Sequence, residues 1–158
     1  MLVGSTFGRD GENATLSFKN QAQDDALDAL ALCGLGGQQR TLAGQLPVLA
    51  RKRLMLATAL AMRPQMLLLD EPFGGLNPAE RGQMIDLIRM VAKTGMTILM
   101  IEHVMKAVQA LADRILVIHH GQQITIGPPS TVLRDRRVIE VYLGNMVPMG
   151  PEASPPDA

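Results

Sequence analysis

The sequence predicts an α/β protein with a mostly parallel sheet plus a helical subdomain, and three observations lead there. Met66-Leu67-Leu68-Leu69-Asp70-Glu71-Pro72 is a four-residue apolar run that ends on two adjacent carboxylates. Such a run predicts a buried parallel strand delivering Asp70 and Glu71 to the carboxyl edge of a sheet, where open α/β sheets bind ligands. A second buried strand is predicted over Thr97–Ile101. Segments of helical period precede and separate these runs, and strands alternating with helices build parallel sheets.

Taken in order, residues 1–20 are polar and glycine-bearing without a clean period, which predicts loop or short helix. Gln21 to Cys33 places Ala22, Ala26, Leu27, Leu30 and Ala31 at helical spacing and stops at Gly34. A second helix runs from about Pro47 to Met62, where Arg63-Pro64 ends it. After the Met66–Leu69 strand, Asn77-Pro78-Ala79-Glu80 supplies an N-cap, a proline at the first helical position and a glutamate at the third. The helix it starts carries Met84, Ile85, Leu87, Ile88 and Val91 on one face and ends at Gly95. Thr97–Ile101 is followed by a helix around Val104–Leu111 and a strand over Arg114–Ile118. His119-His120-Gly121-Gln122 predicts a turn and Gln123–Ile126 a return strand. Ser130–Leu133 and Val138–Leu143 are short helices, and the proline-rich stretch from Asn145 is expected to be a disordered tail. No internal repeat is visible.

With 158 residues the chain is long enough for one domain with a real core. Lys+Arg and Asp+Glu total 15 each, so charge offers no reason to expect nucleic-acid binding. The single cysteine, Cys33, excludes an internal disulfide and suits a reducing cytoplasm. The first residues carry neither a basic region nor an apolar one, so no signal peptide is expected. The longest apolar stretch, Leu54 to Met62, is too short to span a bilayer. Eleven methionines against four aromatic residues suggest a pliable core or groove filler.

At a sheet's carboxyl edge, Asp70 can hold Mg²⁺ directly or through water while Glu71 polarises an attacking water. For an apolar run plus Asp alone, an aspartate capping the next turn is the plainer reading. The longer string with Gly74-Gly75-Leu76-Asn77-Pro78 favours the site.

From Met1 to Gly144 these residues resemble the ATP-binding subunits of ABC transporters, and more narrowly those driving import of branched-chain amino acids. The resemblance rests on Leu67-Leu68-Leu69-Asp70-Glu71-Pro72, Gly75-Leu76-Asn77-Pro78, Ile101-Glu102-His103 and Val138-Ile139-Glu140-Val141-Tyr142-Leu143-Gly144. Ala43-Gly44-Gln45-Leu46-Pro47 resembles the same subfamily, which commonly has Pro where others have Ser. The resemblance implies a P-loop NTPase fold and the cofactors ATP and Mg²⁺. By match, Asp70 is the Walker B aspartate holding Mg²⁺ through water, Glu71 the catalytic base and His103 the switch histidine on the γ-phosphate. Gly75, Leu76 and Asn77 form the D-loop that touches the opposing subunit. Phosphoryl transfer needs these parts: a metal, an oriented water and donors on developing charge.

The chain also departs from the family. The phosphate cradle Gly-x-x-x-x-Gly-Lys-Ser/Thr is absent, and no Gly-Lys pair occurs anywhere. Because the family places that cradle well upstream of the Walker B strand, the chain is expected to be the C-terminal part of a nucleotide-binding domain. The signature Leu-Ser-Gly-Gly-Gln begins 24 residues before the Walker B aspartate, which places it at Leu46-Pro47-Val48-Leu49-Ala50. Its glycines let backbone approach a γ-phosphate on the partner subunit; Val48 and Leu49 put side chains there, and Pro47 has neither hydroxyl nor N–H. Gly36-Gly37-Gln38-Gln39-Arg40 imitates the motif but lies too far upstream and reads as an inter-helix turn. The basic cluster Arg51-Lys52-Arg53 reads as a solvated helix face.

The expected organisation is a helical subdomain with the degenerate signature over 1–62, part of the ATPase core over 63–144 and a tail over 145–158. The resemblance places the missing cradle strand between Thr97–Ile101 and Arg114–Ile118, leaving an unpaired edge and a chain that is poorly soluble or partner-dependent. The expected function is coupling of ATP binding and hydrolysis to import of branched-chain or hydrophobic amino acids, without hydrolysis by the chain alone. Its expected partners are transmembrane permease subunits and a second ATP-binding subunit, at the cytoplasmic face of the membrane. A non-catalytic module docking on permease subunits, or an inert partial gene product, are the alternatives.

Overall fold

The computed structural model describes residues 16–143; the expected N-terminal loop up to residue 15 and the expected tail lie outside the described residues. By its contacts the chain divides into two compact units, Met1–Ala107 and Val108–Ala158.

The first unit opens with α1 (Leu16–Leu32), which begins inside the stretch expected as loop or short helix. Gly34, at φ +71°, turns the chain after it, a conformation glycine adopts without steric cost. The residues imitating the signature form turns between helices, as the spacing predicts. A short 3₁₀ turn (Ala43–Gln45) leads into α2 (Val48–Leu60), with Pro47 at its N-cap. Arg63, at φ +50°, ends this segment ahead of Pro64. Its guanidinium pairs with the buried carboxylate of Asp25 and ties the end of α2 to α1.

Strand β1 (Met66–Asp70) pairs in parallel with β2 (Thr97–Ile101), with Leu68 opposite Leu99 and Asp70 opposite Ile101. Between them runs α3 (Pro78–Ala92), whose start is the predicted capping box. The Glu80 N–H donates to Asn77 Oδ1 at 3.0 Å, and the Asn77 N–H donates to Glu80 Oε2 at 2.9 Å. Of the face the helical period picks out, Met84, Leu87, Ile88 and Val91 are buried and Ile85 is half-buried.

The expectation of fully buried strands is corrected. Leu67 is buried and Leu69 half-buried, but Leu68 is 72 % exposed, and its neighbours on the same face, Leu99 and Ile101, are 57 % and 65 % exposed. A continuous apolar run signals a parallel strand covered on both faces. Here one face is packed and the other remains open. Among the described residues β2 pairs with β1 alone.

Helix α4 (Met105–Leu111) crosses from the first unit into the second. In the second unit β3 (Ile115–His119) and β4 (Gln122–Gly127) form an antiparallel hairpin. His120 and Gly121 both have positive φ, +48° and +75°, as a two-residue hairpin turn matched to strand twist requires. Helices α5 (Pro129–Val132) and α6 (Arg136–Leu143) follow. Val117, Val132 and Val138 form the core of this unit, with Ile115 and Ile124 against it. No helix among the described residues is long and apolar enough to cross a membrane.

Candidate functional site

Parallel pairing sends β1 and β2 out of the sheet at the same edge, so residues just beyond each strand meet there. Asp70 ends β1 opposite Ile101, and the Glu71 N–H extends the ladder by donating to the Ile101 carbonyl at 3.0 Å. Two residues beyond Ile101, His103 turns its imidazole back, and Nδ1 lies 3.5 Å from Glu71 Oε1. Both side chains remain largely exposed, at 65 % and 59 %. Asp70 is exposed beside them. The structure therefore brings together Asp70, Glu71 and His103, three residues expected to act in one site.

Glu71 adopts φ +43°, the left-handed region that residues with a Cβ avoid. Holding such a residue costs on the order of 1–3 kcal/mol and requires support from its surroundings. That support comes from both sides of the residue. Its N–H is held by β2, and its carbonyl accepts from the Gly74 N–H at 3.2 Å and from Lys52 Nζ at 3.1 Å. Each such bond contributes about 1 kcal/mol net, enough together to offset the strain.

Glu102 joins the two loops. Its Oε1 accepts from the Phe73 N–H at 3.1 Å, and its Oε2 accepts from the His103 and Val104 N–H groups at 2.9 Å each. The Phe73 ring is fully buried and anchors the turn after Pro72. The sequence marks Glu102 only as the acidic neighbour of His103, and its role emerges from a partner 29 residues away.

The remaining predicted residues flank this turn. Gly75 requires its φ of +76°, Leu76 is buried, and Asn77 is engaged in the capping box. Leu46 is buried, Pro47 exposed, and Val48, Leu49 and Ala50 form the first turn of α2. A Cβ placed on Gly75 would lie 3.7 Å from Val48 Cγ1, so the start of α2 packs directly on the turn carrying Gly75.

The basic cluster is not the uniformly solvated face the sequence suggests. Arg51 is exposed, but Lys52 reaches Glu71, and Arg53 Nη2 donates to Gln83 Oε1 at 3.0 Å. Cys33 is buried; burial pushes its thiol up to about 11, with the Arg53 charge pulling the other way, so it stays protonated near neutrality.

Among the described residues no three His, Cys, Asp or Glu side chains converge on a metal position. An exposed carboxylate at the strand end still fits Mg²⁺, a hard cation that keeps several waters and takes one or two carboxylates plus substrate phosphates.

Comparison with known proteins bears on what this edge is. No protein-family model matches the chain. The high-affinity branched-chain amino acid transport ATP-binding protein LivG of Escherichia coli K12 is 37 % identical over 135 residues, 82 % of this chain and 52 % of LivG. BraF of Pseudomonas aeruginosa, described by the same function, is 39 % identical over 103 residues, 65 % of this chain and 40 % of BraF. The solved ATP-binding cassette MJ1267 in its ADP conformation superposes with a TM-score of 0.73 at 26 % identity, covering 90 % of this chain and 56 % of that one.

Over most of its length the chain is homologous to ABC transporter ATP-binding proteins.

It spans about half the length of the curated relatives it matches. Its fold is that of part of an ABC ATPase domain, and within it Asp70, Glu71 and His103 lie at the carboxyl edge of β1 and β2.

Proposed function

We propose that this chain forms the Walker B side of an ATP-hydrolysing site in a transporter for branched-chain or other hydrophobic amino acids. The observation carrying this reading is the 3.5 Å approach of His103 Nδ1 to Glu71 Oε1 beside Asp70, at the edge of a parallel sheet. Glu71, a carboxylate in a rigid backbone frame, orients and deprotonates the attacking water. In this reading His103 donates toward the transferring phosphoryl group. Asp70 would hold Mg²⁺ through water, and the ion neutralises phosphate charge.

Without the Gly-x-x-x-x-Gly-Lys-Ser/Thr cradle, the 158 residues alone do not hydrolyse ATP. Partner proteins follow from this reading: transmembrane permease subunits and a second ATP-binding subunit, with the chain at the cytoplasmic membrane face. The relatives' transport of branched-chain amino acids supports the solute class.

The test is to mix the chain with a separately expressed upstream half of LivG carrying the cradle and to measure phosphate release. Hydrolysis should appear in the mixture and fall by about two to four orders of magnitude in Glu71→Gln. No hydrolysis in the mixture, or equal rates for Glu71→Gln, would refute the reading. A second reading, a non-catalytic module docking on permease subunits, is favoured by Val48 and Leu49, whose side chains stand where family members carry glycine. Retained capture of cognate permease subunits alongside absent hydrolysis would select it.

A further inference from the structure

We propose that Lys52 is a positioning residue, through which α2 holds Glu71 in its left-handed conformation. This rests on the reading of Glu71 as the base, but the conformational claim stands on geometry alone.

Of three consecutive basic residues, Arg51 is exposed to solvent and Arg53 engages Gln83, while Lys52 alone turns toward the catalytic turn. Lys52 is half-buried as a residue, and its ammonium lies 3.1 Å from the Glu71 carbonyl oxygen and 3.9 Å from where a Cβ on Gly74 would stand. A lysine side chain loses rotamer freedom when held this way, and a charge-assisted bond to a carbonyl compensates for that loss. Its acceptor is the backbone of the one site residue with a positive φ and a Cβ.

The Glu71 N–H is fixed by β2 through Ile101. Its carbonyl depends on Gly74, one turn away in the same loop, and on Lys52, 19 residues upstream. Lys52 is therefore the long-range support on the carbonyl side. A second contact joins the same pieces, since Val48, the first residue of α2, packs on Gly75. Two contacts one helical turn apart make α2 and the Glu71–Gly75 turn a single mechanical piece. A shift of the Leu46–Ala50 stretch would then reach the base through Lys52. The positions are coupled by a hydrogen bond and a packing contact, so the coupling needs no change elsewhere in the unit.

The test uses the full 158-residue chain in wild-type form and as Lys52→Met and Lys52→Arg, read by NMR without nucleotide. Lys52→Met should move the Glu71 Cα and Cβ shifts away from left-handed values. It should also speed exchange of the Gly74 N–H by about tenfold, the loss expected for one charge-assisted bond. Lys52→Arg keeps a donor and should restore the wild-type pattern. Unchanged Glu71 shifts in Lys52→Met, or an arginine variant indistinguishable from the methionine one, would overturn the proposal. If Lys52→Met does not fold, Lys52→Gln, too short to reach, gives the same two outcomes. In the mixture with the LivG half, Lys52→Met should lower kcat about tenfold and leave KM for ATP within about twofold. Failure of that mixture to hydrolyse refutes the functional reading and leaves the conformational result to decide this one.

Discussion

The α3 start and the α2 start each carry a proline, and the two are built in opposite ways. Pro78 is the first residue of α3, and ahead of it Asn77 and Glu80 satisfy each other's backbone N–H groups. Pro47 is itself the N-cap of α2, and no side chain caps the helix behind it. The turn before α3 is also held by buried Phe73, by Glu102 and by the packed Gly75. The turn before α2 has buried Leu46 as its anchor. One helix start is secured locally and across the sheet, while the other leaves its first N–H groups without a side-chain acceptor. The lesson is that hydrogen-bonded support is concentrated around Glu71, and that α2, uncapped at its start, holds the site through Val48 on Gly75 and Lys52 on Glu71.

Breaking the α3 side should have the largest effect. Phe73→Ala empties a fully buried ring position and should cost about 3–5 kcal/mol in a urea titration. A loss below about 1 kcal/mol would mean that the turn does not depend on its anchor. Next, Glu102→Ala strands three N–H donors on two loops and should cost about 2 kcal/mol, discounted for partial exposure. Its His103 and Val104 amides should exchange faster, whereas amides in the middle of α3 should keep their rates. Asn77→Ala opens the capping box and should cost about 1 kcal/mol, read as a lower melting temperature.

On the α2 side the sign should reverse. Pro47→Ser supplies the missing cap and should stabilise by about 0.5 kcal/mol, because the gain of a cap exceeds the lost rigidity of proline in the unfolded chain. Destabilisation would show that Pro47 matters for more than its place at the helix end.

The smallest effect sharpens the comparison with a third helix start. Asp135 accepts from the Arg137 N–H at 3.0 Å and from its guanidinium at 2.8 Å at the head of α6. The Arg137 side-chain bond, followed by its backbone bond, holds the Asp135 carboxyl below its ordinary value. A depressed folded-state value means that the cap's contribution is fully present above about pH 4, where the unfolded group ionises, and is lost as pH falls through the folded value. The Arg137 amide shift should therefore titrate with a midpoint below about 3.9, and a midpoint at or above that value would contradict the pairing.

Much of the fold was legible because its signals are local. The Asn77 to Glu80 box, the Arg63-Pro64 stop, the glycine after α1 and the hairpin turn at His120-Gly121 each depend on residues within a few positions. The helical period in α3 picked out the residues that are buried. The burial of β1 was read wrongly for the same reason. Four apolar residues in a row signal cover on two faces, and a local pattern cannot tell whether cover is present.

The site was legible in part. Asp70 and Glu71 could be singled out because they end an apolar run, and strand ends in a parallel sheet share an edge; His103 was singled out by the match of Ile101-Glu102-His103 to the family. Lys52 looked like a solvated residue and Glu102 like a neighbour of His103, since their partners lie 19 and 29 residues away. What the sequence alone determined is the order of the elements, their caps and the carboxylates at the end of β1, all properties of short windows. What only the tertiary structure decided is the open face of the sheet, the left-handed Glu71 and the two side chains that hold its turn. Those depend on which distant backbone groups come within hydrogen-bond reach, and that distance is set only once helices and strands have packed.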